Sequence, residues 1–193
     1  TTGDYNTLIG QDAGALITSG TSNIVLGATA LDAATTQSLC IAIGYNALTS
    51  LNHNDASGTV AIGYLAGEDI TSGQYNTAVG YQALKDTVDG NANTALGYNA
   101  LLVNTTGSNN TALGYATLGG SQNVGDANTA VGSNALTNFN PASDDVGHNT
   151  GIGYESGASL TTGVENTYVG SGAGYRNQTG DNNTYVGYRA GLG

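Results

Sequence analysis

Tryptophan and methionine are absent from this chain of 193 residues, and Cys40, Phe139 and Pro141 are each the only residue of their kind. Positive charge is almost missing too: Lys85, Arg176 and Arg189 stand against 14 acidic residues, for a net charge of −11. A surface without clustered Lys and Arg repels nucleic acid and anionic lipid, so nucleic acid is not expected as a partner. No apolar run approaches the ~18–20 residues that span a bilayer, so membrane insertion is not expected either. One cysteine supplies no disulfide framework. Set between Leu39 and Ile41, Cys40 reads as a small buried apolar residue.

Glycine is plentiful, with 31 residues, roughly twice its average usage. Low charge and weak hydrophobicity would suggest disorder in an aperiodic chain. This chain is periodic. A Gly preceded by a branched aliphatic residue recurs at 10, 27, 44, 63, 80, 97, 114, 132, 153, 170 and 187. The spacings are 17, 17, 19, 17, 17, 17, 18, 21, 17 and 17, so seven of ten are identical. A fixed period of this length marks a solenoid.

The unit reads G-x-x-N-T-A-V-G-Y-x-A-L. Every residue before the anchor Gly is Ile, Leu or Val, and two residues earlier stands Thr in eight copies and Ile24, Ile41 or Val60 in the rest. Residues two apart on a strand share a face, so both columns are expected inside. The intervening column, mostly Ala, is then expected outside. The second half of the unit, as in Tyr98-Asn99-Ala100-Leu101, is expected to form another short extended segment. Gly spacing and Asn/Thr/Asp-rich connectors oppose helix. Asn opens the strand in nine copies and Tyr follows the anchor in seven. Both columns read as ladders that bind one rung to the next, with a ligand-binding row as the sharper alternative. The fold expected is all-β: a parallel β-solenoid, or β-roll, of about eleven 17-residue rungs forming a single repeat domain over 1–193.

The copies Asn76-Thr77-Ala78-Val79-Gly80-Tyr81-Gln82-Ala83-Leu84 and Asn93-Thr94-Ala95-Leu96-Gly97-Tyr98-Asn99-Ala100-Leu101 resemble repeats of bacteriophage tail fibres. They are also similar to the head repeats of trimeric autotransporter adhesins. Adhesin heads use a shorter repeat and seldom carry the regular Asn-Thr and Tyr, which favours the phage fibre. The resemblance implies a homotrimer, an extracellular place on a virion tail fibre or a cell surface, and contact with a host-surface glycan or protein. Two features of the chain agree with it. A thin rung buries little and gains from oligomerisation, and the Ala column would let a neighbouring chain approach. Both ends stop within the repeat, so end-to-end stacking with further fibre domains is expected.

Recognition is expected where the period breaks, since insertions in repeats map to loops that often bind. The 21-residue rung offers Phe139, Asn140, Asp144, Asp145 and His148, and the 19-residue rung offers Asn52, His53, Asn54 and Asp55. No catalytic, cofactor or metal site is expected: Ser, His and Asp stand in no supporting motif, and the Gly-Gly-x-Gly-x-Asp calcium repeat is missing. The function expected is a structural and adhesive rod of an attachment fibre. An ice-binding solenoid or a polysaccharide depolymerase shaft are lesser alternatives, the first weakened because aligned Thr on the aliphatic face should be buried.

Overall fold

A computed structural model describes residues 3–54, 56–120, 125–141 and 147–192. Eleven three-residue strands follow one another along the chain: β1 (Thr7–Ile9), β2 (Ile24–Leu26), β3 (Ile41–Ile43), β4 (Val60–Ile62), β5 (Thr77–Val79), β6 (Thr94–Leu96), β7 (Thr111–Leu113), β8 (Thr129–Val131), β9 (Thr150–Ile152), β10 (Thr167–Val169) and β11 (Thr184–Val186). They form one parallel sheet in sequence order. Register is unbroken, so Ala78 pairs with Ala95 and Ala95 with Ala112. Equivalent residues therefore sit above one another, and the chain is an all-β solenoid. Among the described residues no helix is long and apolar enough to cross a membrane. At ~4.8 Å per rung the stack is roughly 50 Å long.

The strand faces are the reverse of the expectation. The middle column is the buried one, with Val25, Ala42, Ala61, Ala78, Ala95, Ala112 and Ala130 fully inside. The flanking Thr and branched aliphatic columns point outward, and Ile9, Leu26, Leu96, Leu113, Ile152 and Val186 are 40–67% exposed. The reason is room. Across the rung from each strand lies a second wall bearing residues such as Ala83, Leu84, Ala100 and Leu101, all fully buried. Facing a Leu, a thin coil has space for a small side chain only, Ala in five rungs and Val25 against Leu31 in one, so the small residue takes the inside. The Ala column is thus no chain-chain contact.

The second half of the rung is also not extended. It runs as turns, with Asn99 at φ 54° and Leu101 at φ 49°. These left-handed residues curl the chain while keeping its amides along the rod. Asn99 N donates to Tyr81 O at 3.0 Å in the rung before, and Leu101 N to Thr117 O at 3.0 Å in the rung after. The rung thereby bonds to both neighbours outside its strand as well, which satisfies backbone groups that a loop would leave to water. The anchor Gly is sterically required. Gly97 sits at φ 140°, and a Cβ there would lie 2.2 Å from Gly114 O.

Candidate interaction surfaces

Four columns reach from rung to rung. The Asn column is internal. Asn93 Oδ1 accepts the backbone N–H of Asn110 at 2.9 Å, and Asn93 Nδ2 donates to Gly107 O at 2.8 Å. The same pair of bonds recurs at Asn76, Asn110, Asn149 and Asn166. Each amide thus joins two rungs and caps a turn, and full burial leaves it unavailable to a ligand. Cys40 and Thr59 occupy this column in β3 and β4's rungs; burial pushes the Cys40 thiol above its ordinary value.

The Tyr column is external. Tyr45, Tyr64, Tyr81, Tyr98 and Tyr115 stack in a continuous series, with ring centroids 5.7 Å apart in the first pair and 5.1 Å in the others. Beyond Tyr115 the column reads Ser133, Tyr154, Ser171, Tyr188, so two rings are missing in alternate rungs. Around the second gap lies a cleft of about 460 Å³, bordered by Tyr154, Ser171, Tyr188, Arg176 and Arg189. The neighbouring Glu155 carboxylate holds the Tyr154 phenol protonated above its usual range. Arg189 Cζ lies 5.2 Å from the centre of the Tyr188 ring.

The remaining two columns, Thr and branched aliphatic, form the outward face of the sheet over its full length. Exposed apolar residues scattered singly need no explanation, but a continuous stripe of them marks an interaction surface.

The loops are more ordinary than their composition suggested. Phe139 is 1% exposed and packs in the core, so its ring cannot meet a receptor. It stands seven residues after its anchor Gly, in a column shared by Ile17, Leu51, Ile70 and Leu160, all buried. That register was the signal that it belongs inside. Asn140 is exposed, and its backbone N–H donates to Thr161 O at 2.7 Å. His148 is exposed at φ 55°, while Asp144 and Asp145 lie outside the described residues. In the other loop Asn52, His53 and Asn54 are exposed, and Asp55 lies outside the described residues. His53 O accepts Gln37 Nε2 at 2.7 Å, and Asn54 Oδ1 accepts Thr36 Oγ1 at 3.3 Å. Asn52 and His53 edge an open cleft of about 480 Å³ with Asp89 and Asn91. Among the described residues no three His, Cys, Asp or Glu side chains gather as metal ligands would.

Fold and surfaces together define a parallel β-solenoid repeat protein with an internal Asn ladder, a Tyr ladder and one apolar outer face. No protein-family model, no curated protein and no solved structure matches the chain.

Proposed function

We propose that the chain is a structural and adhesive rod of an extracellular attachment fibre, and that three copies associate through the outward Thr and aliphatic face. The observation that carries this reading is the continuous stripe of Ile, Leu and Val along one side of all eleven strands. Water contact along that whole stripe is unfavourable, and a second copy presents the same repeat spacing in register. The resemblance of the Asn-Thr-Ala-Val-Gly-Tyr units to phage tail-fibre repeats supports a virion fibre, and a bacterial surface adhesin head is the alternative with the same mechanics. The rod does no chemistry of its own. It holds recognition surfaces at a distance and in a fixed orientation. Sedimentation equilibrium tests the association: three times the 19.2 kDa chain mass is expected, and a monomer at micromolar concentration overturns it.

A second reading gains from the structure. The objection to ice binding was burial of the Thr column, yet Thr7, Thr94 and Thr184 are exposed, beside an aliphatic column, on a regular sheet. Such a face can order water. Thermal hysteresis in a monomeric sample would favour this reading, and a trimer without hysteresis would end it.

A further inference from the structure

We infer that the gap at Ser171 in the Tyr column is a binding slot for a carboxylated sugar residue, its ring stacking between Tyr154 and Tyr188 and its carboxylate held by Arg176 and Arg189. In the unbroken part of the column rings follow at 5.1 Å, one per rung. Tyr154 and Tyr188 belong to rungs two apart, so they stand about 10 Å from each other along the rod. One ring is missing between them. Ser171 puts a hydroxyl in place of that ring, in the 460 Å³ cleft that Glu155 and Tyr175 also line. The C–H face of a pyranose packs on phenol rings, and its hydroxyls need polar groups at the edge.

Charge selects an acidic sugar. The chain has three cations and a net charge of −11, yet two of the three border this one cleft. Arg189 is placed over a Tyr ring, and among the described residues neither guanidinium has a carboxylate partner. Glu155 lines the same cleft, and its carboxylate acts on the neighbouring Tyr154 phenol. A guanidinium fork suits a carboxylate. A polyanion such as nucleic acid would be repelled by the acidic remainder of the rod. The gap at Ser133, between Tyr115 and Tyr154, has no Lys or Arg in its rungs and serves as an internal control. The inference goes beyond the rod reading and does not depend on the number of chains.

The test is saturation-transfer NMR and titration of the full chain with oligogalacturonate and sialyllactose, using maltotriose and lactose as neutral probes and N-acetylphenylalanine as an aromatic carboxylate. At least one acidic sugar is expected to bind, with neutral sugars roughly tenfold weaker or silent. Ser171→Tyr should complete the ladder, keep the fold and abolish binding. Ser133→Tyr should leave binding unchanged. Arg176→Gln and Arg189→Gln together should reduce affinity by roughly tenfold or more. Equal binding of neutral sugars, persistence of binding in Ser171→Tyr, or no binding of either acid overturns the proposal. Tighter binding of N-acetylphenylalanine overturns it in favour of a peptide partner. Chain mass, measured on the same samples, reports separately on the rod reading.

Discussion

At the scale of single residues, the Asn column shows how a coil this thin satisfies its interior. Asn93 is fully buried, yet its carbonyl oxygen and amide nitrogen both have partners, and its own N–H donates to Asn76 Oδ1 at 2.9 Å. Asn93→Ala leaves the buried Asn110 N–H without its acceptor, while Gly107 O keeps Asn104 Nδ2 at 2.8 Å. One orphaned group costs about 1–3 kcal/mol, and urea unfolding should show a loss of that size. Asn93→Asp retains the acceptor for Asn110 but sets a carboxylate against Gly107 O, and should be no more stable than the Ala variant. A loss under about 0.5 kcal/mol for Asn93→Ala, the size of an ordinary surface change, would show that the amide bonds contribute nothing.

Cys40 adds a pH dependence. Burial raises the thiol's pKa in the folded chain, so the unfolded thiol ionises first. Stability is therefore untouched at neutral pH and falls as pH rises from about 8.5, the ordinary thiol value. Tyr168 acts in the same direction from about pH 10, because its buried phenol is also pushed up. Unfolding measured at pH 7, 9 and 10 should give a shallower alkaline decline for Cys40→Ala than for the parent chain. Identical slopes would remove Cys40 from this account. The buried state of Cys40 was legible in the sequence from its neighbours, and so was the Asn ladder from its recurrence. Phe139 was misread because its uniqueness outweighed its register.

At the scale of the rung, the two walls exchange core volume in eight of the eleven rungs. Five of the eleven rungs set Ala on the strand against Leu on the turn, as at Ala78 with Leu84 and Ala95 with Leu101, all four fully buried. Where the strand residue is Leu or Tyr the turn residue is Gly, although Val25 still faces Leu31, and Ala61 with Gly67 and Gly151 with Gly157 are small on both walls. Leu8 goes with Gly14, Tyr168 with Gly174 and Tyr185 with Gly191, and a Cβ on any of these glycines would fall 2.5–2.9 Å from the opposing side chain. Tyr168 fills its slot completely and accepts Asn177 Nδ2 at 2.8 Å on its hydroxyl. Tyr168→Ala should cost about 3–5 kcal/mol, as for other buried aromatics cut to Ala. Gly174→Leu alone should clash. Combining them restores the pairing of Ala with Leu, and Leu84 and Leu101 already tolerate φ 53° and 49° at that position. The double variant should then be more stable than either single variant in a double-mutant cycle; additive losses would sink the exchange.

This exchange also explains which parts of the fold were legible. Period, anchor Gly and strand positions depend on spacing alone, and spacing is visible in one dimension. Which strand face is inside depends on what stands across the rung. Hydrophobicity favours Val79 and Leu96 over Ala78 and Ala95 for a buried place, but the room beside Leu84 and Leu101 reverses the choice. The Tyr column is visible in seven copies, whereas the cleft at Ser171 depends on Arg176 and Arg189 standing beside the missing ring, which spacing does not reveal.

At the scale of the molecule, that reversal moves the contact proposed between chains. With Ala inside, the side available to a second copy is the Thr and aliphatic face, and a contact there would bury its half-exposed Leu and Val side chains. A charge placed on such a face is harmless to a lone solenoid, because Leu96 and Leu113 already meet water at 45% and 42% exposure. In a trimer the same charges would be repeated around the axis in a dry interface, where unpaired charge is costly. Leu96→Lys with Leu113→Lys should therefore convert the associated chain to a monomer that keeps its β-rich circular dichroism. Ala95→Lys, one residue away but pointing inward, should instead unfold the rung at any association state. If the Leu96 and Leu113 pair leaves the sedimentation mass unchanged, the chains meet elsewhere. If Ala95→Lys is tolerated, the assignment of faces is itself wrong, because a fully buried methyl facing Leu101 has no space for a charged side chain.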